Sequence, residues 1–280
     1  ASGVETIKTI GDKERRRYIS KNVLVATGGL SYPATGSTGD GYKLAKECGH
    51  SVSTTYPSLV PLETRYKHIA QLNGLNLRNV KASVYINNEL WKEAFGEMSF
   101  IDNSISGPII LTLSRDLVKL VNEQNRIAIS IDLKPALDIQ KLEARLLRDI
   151  EKYGQSDIKN LLRKILPGQL IKICTNKLGL NHNKIASQLS AAERTKIAKW
   201  LKAFRIDISG YRPYSEAIIT AGGVLTGEIN QKDFMSKKVK GLFFAGEILD
   251  LDGPTGGYNL QIAFTSGWCA AEGIIKNRDQ

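Results

Sequence analysis

Apolar positions along the chain change period several times, and the changes divide it. The stretch from Ile19 to Thr27 ends in an apolar β-branched run, Val23-Leu24-Val25, that stops at Gly28-Gly29, the pattern of a buried strand in a parallel sheet. After a Gly/Ser/Thr loop, Tyr42, Leu44 and Ala45 fall at helical spacing between Gly41 and Glu47. Gly49 is the expected stop, and a strand is expected over Ser51 to Tyr56. From Leu62 onward the period is two. Lys81 to Ile86 and Leu90 to Phe95 alternate around Asn87-Asn88 as a hairpin, and Arg126 to Leu133 alternates again. Ser106-Gly107-Pro108 opens a short helical pattern that runs through Leu120. From Asp138 to Phe204 the period is helical. Leu142, Leu146, Leu147 and Ile150 make one stripe, and Ile197, Trp200, Leu201 and Phe204 make another, opened by a capping box at Ser190 and Glu193. Strand patterns ending in glycine then return at Ile218 to Gly223 and at Gly241 to Gly246, followed by a long helix from Asn259 to Ile275.

The fold class this predicts is α/β. One α/β domain is built from both chain ends, residues 1–62 and 212–280. A mainly antiparallel β subdomain (63–133) and a basic helical subdomain (134–211) are inserted in its middle.

Composition changes this picture in two places. The 280 residues carry 39 Lys+Arg against 28 Asp+Glu, a net charge of +11. Between Lys134 and Arg212 there are 17 basic and 7 acidic residues, so nearly all of the excess lies in one stretch. A solvated helical face is the expected reading, because no nucleic-acid-binding motif or interleaved aromatic platform accompanies the block. Cys48, Cys174 and Cys269 are odd in number and far apart, so no disulfide frame and no metal site is expected, and all three read as buried thiols. No apolar run reaches the length of a membrane span and Ala1 to Thr9 lacks a secretory pattern, so a cytoplasmic location with no membrane partner is expected.

The candidate chemistry lies in the glycines. Three strand ends, Ala26-Thr27-Gly28-Gly29, Thr220-Ala221-Gly222-Gly223 and Ala245-Gly246-Glu247, offer close backbone approach. Placed on one sheet they would line a single cleft at the carboxyl ends of its strands. Gly256-Gly257-Tyr258-Asn259-Leu260-Gln261 opens a helix whose expected inward stripe is Leu260, Ala263, Phe264, Gly267, Ala271 and Ile274. The unpaired first-turn N–H groups of such a helix can hold a negative charge or an electron-rich carbonyl, and a flavin ring fits that description. Glu247 can accept hydrogen bonds from a polyol such as a ribityl chain. The loop from Thr35 to Gly41 also opens a helix but is not a P-loop, because no Gly-Lys-Ser/Thr follows.

The segments V-L-V-A-T-G-G-L-S-Y-P-A-T-G-S-T-G-D-G-Y at 23–42 and G-L-F-F-A-G-E-I-L-D-L-D-G-P-T-G-G-Y-N-L-Q at 241–261 resemble the BaiN/YhiN-type FAD-dependent oxidoreductases, which belong to the glutathione-reductase-like flavoproteins. G-E-M-S-F-I-D-N-S-I-S-G-P at 96–108 is similar to that family's inserted β subdomain. The resemblance implies FAD as cofactor, with Ala26, Thr27, Gly28 and Gly29 bordering it. Gly246 and Glu247 would face its ribityl or diphosphate part, and Gly256, Gly257, Tyr258, Asn259 and Leu260 would lie against the isoalloxazine. The family's opening βαβ unit with G-x-G-x-x-G does not occur in the 280 residues, so the expectation is a C-terminal fragment of a longer flavoprotein, inactive by itself and with most of its FAD affinity lost.

No catalytic residue is assigned. His50, His68 and His182 fall in no Ser/His/Asp or H-E-x-x-H pattern and read as surface or packing residues, and no cysteine pair supports disulfide reduction. Tyr32 and Tyr258 are the candidates for substrate contact. The leading function is hydride transfer between a small organic substrate and flavin, with NAD(P)H or oxygen as electron partner. The alternative is a nucleic-acid-binding protein, or an RNA-modifying flavoenzyme, that uses the basic helical insertion.

Overall fold

The computed structural model describes residues 4–7, 15–181 and 183–278. His182 lies outside the described residues, as does most of the Ala1 to Thr9 stretch. The chain divides into two compact units, residues 1–60 with 212–280, and residues 61–211.

The first unit opens with an antiparallel pair, β1 (Val4–Ile7) and β2 (Arg15–Tyr18), followed by β3 (Val23–Val25). Helix α1 (Asp40–Glu47) starts after Gly39 and buries Tyr42 and Ala45. Cys48 caps its end and is exposed, whereas Cys174 is buried and Cys269 half-buried, so the expectation of three buried thiols fails at Cys48. The strand expected over Ser51 to Tyr56 is displaced. Val52 makes only an isolated bridge to Val224. The regular strand β4 is Tyr56–Ser58. Ser53 diverts the ladder, because its N–H donates to Gly223 O (2.9 Å) while its Oγ accepts from the Gly223 N–H (3.0 Å).

The second unit is a closed antiparallel barrel carrying a helical layer. Its elements in chain order are β5 (Leu62–Thr64), β6 (Asn76–Ile86), β7 (Glu89–Ile101), β8 (Ser104–Ser106), α2 (Pro108–Asn122), β9 (Ile127–Asp132), α3 (Ile139–Tyr153), α4 (Ile158–Leu162), α5 (Gly168–Leu178), α6 (Ala191–Lys202) and β10 (Phe204–Tyr211). The strand order around the barrel is β10-β5-β8-β7-β6-β9. Asn87 and Asn88 both adopt positive φ (52° and 72°), the geometry a two-residue hairpin turn requires. Residues 204–211, counted with the helical block on sequence pattern, form the strand that closes the barrel. Phe204 therefore belongs to β10 and not to the α6 stripe. Leu142 and Leu146 face the core from α3. The capping box at the start of α6 is present in both halves: Glu193 N–H donates to Ser190 Oγ, and Ser190 N–H to the Glu193 carboxylate.

The chain returns to the first unit with β11 (Ile219–Ala221), antiparallel to β4, and β12 (Leu242–Phe244), parallel to β3 with Val25 opposite Phe244. It ends in α7 (Tyr258–Arg278). The inward face of α7 departs from the expected one. Ser266, Ala270 and Gly273 are buried, while Leu260, Phe264 (69% exposed) and Trp268 (71% exposed) face outward. Close approach decides the rotation. A Cβ on Gly273 would meet Asp233 Cβ at 2.6 Å and Phe243 at 3.2 Å, so only the small-residue face lets the helix settle on β12. Among the described residues, no helix is long and apolar enough to cross a membrane.

Candidate functional site

Parallel pairing of β3 with β12 sends both strands out at the same end, so the Ala26 to Gly29 and Ala245 to Glu247 loops begin side by side. The Ala245 N–H donates to Val25 O (3.1 Å) at that exit. The Thr220 exit belongs to the separate β4/β11 pair, so the expectation of three strand ends on one sheet is corrected: they lie on two sheets and meet through side chains. Glu247 Oε1 accepts the Thr220 backbone N–H (2.8 Å). Thr220 Oγ1 in turn accepts the N–H groups of Leu30 (2.8 Å) and Ser31 (3.1 Å). Gly29 closes this knot. A Cβ there would lie 2.5 Å from Thr220 Oγ1 and 2.6 Å from Glu247 Oε1, so only glycine lets the first loop press onto both side chains. Gly28 (φ 73°) and Gly246 (φ 79°) both turn through the left-handed region. Gly222 and Gly223 do not join this group, because they pack against Thr54 and against the backbone of Ile248 to Asp250.

Gly256 (φ 115°) and Gly257 (φ 89°) lead into α7, which packs on the turn at Gly246–Ile248. The first intrahelical bond runs from Gln261 N–H to Gly257 O (3.0 Å), so the N–H groups of Tyr258, Asn259 and Leu260 precede it. Tyr258 and Leu260 are exposed, and nothing lies within 4 Å of a Cβ at Gly257, which leaves this helix start open to a ligand. Asn259 does not face that opening. Its side chain holds the preceding loop, accepting from Gly253 N–H and donating to Gly253 O, both at 2.8 Å. Tyr32, about half exposed, takes an αL backbone (φ 52°) that is strained for a non-glycine residue, and its N–H donates to Tyr214 O.

Pattern reading placed Tyr42 on α1 and gave it no role, yet it belongs to this site. It is buried, and its hydroxyl has no hydrogen-bond partner among the described residues. Burial, then the nearby Glu247, Tyr214 and Asp250, push its ionisation upward. Burial also raises the Glu247 carboxyl, against the opposing hydrogen bonds from Thr220. A buried orphan hydroxyl beside a desolvated carboxyl is a polar pair whose satisfaction requires a further group. The only sequence signal for Tyr42 is its place in the helix opened by the Gly39-Asp40-Gly41 loop.

His50, read as a surface or packing residue, is a packed one held in a buried hydrogen-bonded network. It is buried, its Nε2 lies 2.7 Å from Ser236 Oγ, and its Nδ1 lies 3.1 Å from Glu228 Oε2. The arrangement has the order of a hydrolytic triad, but Ser236 is 3% exposed and its Oγ already accepts the N–H groups of Lys238 (3.0 Å) and Val239 (2.8 Å). That oxygen holds a loop and is closed to substrate. His68 lines a groove in the second unit. Among the described residues, no group of His, Cys, Asp and Glu side chains could hold a metal ion.

The HI0933-like protein Rossmann domain family matches residues 2–273. The chain is 29% identical over 255 residues to the 3-dehydro-bile acid delta(4,6)-reductase of Clostridium scindens, covering 91% of this chain and 62% of the relative. It is 30% identical to the ribosomal RNA dihydrouridine synthase of Haemophilus influenzae over 98% of this chain and 68% of the relative. It is also 30% identical to the ribosomal RNA dihydrouridine synthase of Escherichia coli, over 91% and 61%. The chain thus spans about two thirds or less of the length of these relatives. Its strand-exit glycines, mixed α/β architecture and the match over residues 2–273 place it in one family: the chain belongs to the HI0933-like Rossmann-domain proteins.

Proposed function

We propose that this chain carries the flavin-facing part of an FAD-dependent oxidoreductase that reduces a carbon–carbon double bond conjugated to a carbonyl. The observation that carries this reading is the convergence of the Ala26 to Gly29 and Ala245 to Glu247 loops on Thr220 and Glu247, beside the open start of α7. The residues fit the group in three respects. Positive-φ glycines let backbone approach a flat ring at Gly28, Gly246 and Gly257. The first-turn N–H groups of α7 sit at the positive end of a helix dipole and suit the electron-rich pyrimidine edge of a flavin. Glu247, whose Oε1 is taken by Thr220, has a second oxygen to offer a ribityl hydroxyl.

A flavin held by the Gly28, Gly246 and Gly257 backbone would supply two-electron hydride chemistry, with NAD(P)H as the donor and the β carbon of the substrate as the acceptor. The chain's contribution is binding and orientation. Tyr32 and Tyr258 are both exposed and are the candidates for hydrogen-bonding the substrate carbonyl, while the α carbon takes a proton from solvent. The names of the relatives support this choice of bond. A 3-dehydro-bile acid with Δ4,6 unsaturation and the uracil ring of uridine both present a C=C conjugated to a carbonyl.

The chain alone is expected to be inactive, so the test is to express it together with the family's opening βαβ unit, supply FAD and NAD(P)H under anaerobic conditions and offer a 3-keto-4-ene steroid and, separately, uridine-containing RNA. The expected result is substrate-dependent oxidation of NAD(P)H with a gain of two hydrogens in one of the products. NAD(P)H left intact with both substrates, in a protein that has taken up flavin, would overturn the reading.

A further inference from the structure

β9 ends at Asp132, and the chain from Leu133 to Leu137 lines a groove of about 830 Å³ in the second unit. Its apolar walls are Phe95, Leu133, Pro135 and Leu137, and its cations are Arg78, Lys134 and Arg145. The backbone of Lys134 is held on both sides. Its N–H donates to Asp132 Oδ1 (2.9 Å), and its carbonyl accepts from the Lys202 ammonium (3.1 Å), which also donates to Leu137 O (2.6 Å). The lysine side chain therefore rises from a fixed turn, half-buried against apolar walls.

The acids around it have cations of their own. Asp132 pairs with Lys202 (2.5 Å), Asp138 with Lys141 (3.2 Å) and Asp149 with Arg145 (3.0 Å), while Glu97 on β7 reaches Arg78 at 3.9 Å. Lys134 has no acidic partner among the described residues. Burial, and then the charge of Arg145, lower its proton affinity. Loss of water and a neighbouring cation both favour the uncharged amine, and an uncharged lysine is a nucleophile for carbonyl carbon.

From the held turn, the apolar walls and the engaged acids we propose that Lys134 is a covalent binding site for a small aldehyde with an apolar body. The Nζ lone pair attacks the carbonyl carbon as the C=O π pair moves to oxygen. Solvent then carries the two amine protons to that oxygen, which leaves as water, and a C=N bond remains. No oxidant or reductant is consumed. The groove walls receive the alkyl chain, so its length adds to binding. The proposal does not rest on the flavin reading, because Lys134 belongs to the second unit and the glycine loops belong to the first.

The test treats the 280-residue chain with limiting hexanal and sodium cyanoborohydride, which reduces each imine to a stable secondary amine, and maps the alkylated lysines by peptide mass spectrometry. Lys134 is expected to be alkylated ahead of the exposed Lys196 and Lys199 of α6. Its lead over them should be about tenfold larger with hexanal than with glycolaldehyde, the effect of burying roughly two methylene groups. Ala136 is exposed and lines the same groove, so Ala136→Asp is expected to keep the fold, which circular dichroism checks, and to give the ammonium the acidic partner it lacks. Alkylation of Lys134 near neutral pH should then be about threefold slower than in the wild type, the usual size of a partly exposed ion pair. The comparison of the two aldehydes on the wild type stands whatever the variant does. Equal alkylation of Lys134 and the α6 lysines would overturn the proposal. An equal lead with both aldehydes would also overturn it, because it would show a reactive amine with no groove for the ligand, and so would an unchanged rate in a folded Ala136→Asp protein.

Discussion

Gly29→Ala tests the convergence of the strand-exit loops directly. The added Cβ would lie 2.5 Å from Thr220 Oγ1, 2.6 Å from Glu247 Oε1 and 2.7 Å from Thr220 Cβ, all well inside ordinary van der Waals distance. Neither neighbour is a free side-chain end. Thr220 Oγ1 accepts from Leu30 and Ser31, and Glu247 accepts from Thr220, so relief of the clash breaks hydrogen bonds. Overpacking costs about 1–3 kcal/mol. Two hydrogen bonds lost at about 0.5–1.5 kcal/mol each bring the expected destabilisation to about 2–6 kcal/mol. Hydrogen exchange is the suitable assay, because the chain has two compact units and a global midpoint would mix them. Protection should fall by tenfold or more in 23–31 and 219–221 while 127–131 in the barrel stays unchanged. Gly168→Ala is the control. No atom lies within 4 Å of its Cβ and its φ is not positive, so it should be neutral or stabilising by up to about 1 kcal/mol. A Gly29→Ala protein with protection unchanged in 23–31 and 219–221 would refute the packing argument.

Three further outcomes follow from the same contacts. Because burial raises the Glu247 carboxyl, the folded state favours its protonated form, so stability falls as pH climbs from the ordinary carboxylate value through the raised one. Glu247→Gln keeps an acceptor for Thr220 N–H and should flatten that slope, giving higher urea midpoints than wild type at neutral pH and similar ones in acid; parallel curves would contradict this. Glu193 has the opposite sign. Lys184 and the Ser190 N–H hold it down to about 2, so its contribution is present above the ordinary carboxylate range and disappears as pH drops towards 2, and Ser190→Ala should cost about 1 kcal/mol. Ser236→Ala should cost about 1–3 kcal/mol by stranding the His50 ring and two backbone N–H groups. A fluorophosphonate should leave the wild-type Ser236 unlabelled, and labelling there would show an accessible nucleophile.

Local features were legible in the sequence where one residue type has one geometric use. The Asn87-Asn88 turn, the Ser190 and Glu193 box and the parallel Val23 to Val25 strand all follow from such residues. The family was legible as well, through the glycine motifs at 23–42 and 241–261. Periodicity failed where proximity outweighs hydropathy. On α7 the expected stripe holds at Ile274, which packs on the core, but Leu260, Phe264 and Ala271 are exposed, and Ser266, Ala270 and Gly273 face inward because the helix lies too close to β12 for larger groups. The Thr220 knot, the orphan Tyr42 hydroxyl and the His50 network join residues about 180 positions apart, and no spacing rule connects them.

The central claim, that the strand-exit glycines and the start of α7 receive a flavin ring, is tested most directly by titrating riboflavin, FMN and FAD onto the chain and following quenching of flavin fluorescence. Saturable binding of all three with similar affinity is expected, because the proposed contacts are to the ring and ribityl chain and the 280 residues contain no G-x-G-x-x-G cradle for the diphosphate. Gly257→Val, which puts a branched side chain at φ 89° in the ring's position, should abolish it. Failure of every flavin to bind the wild-type chain, or undiminished binding by the Gly257→Val protein, would contradict the account.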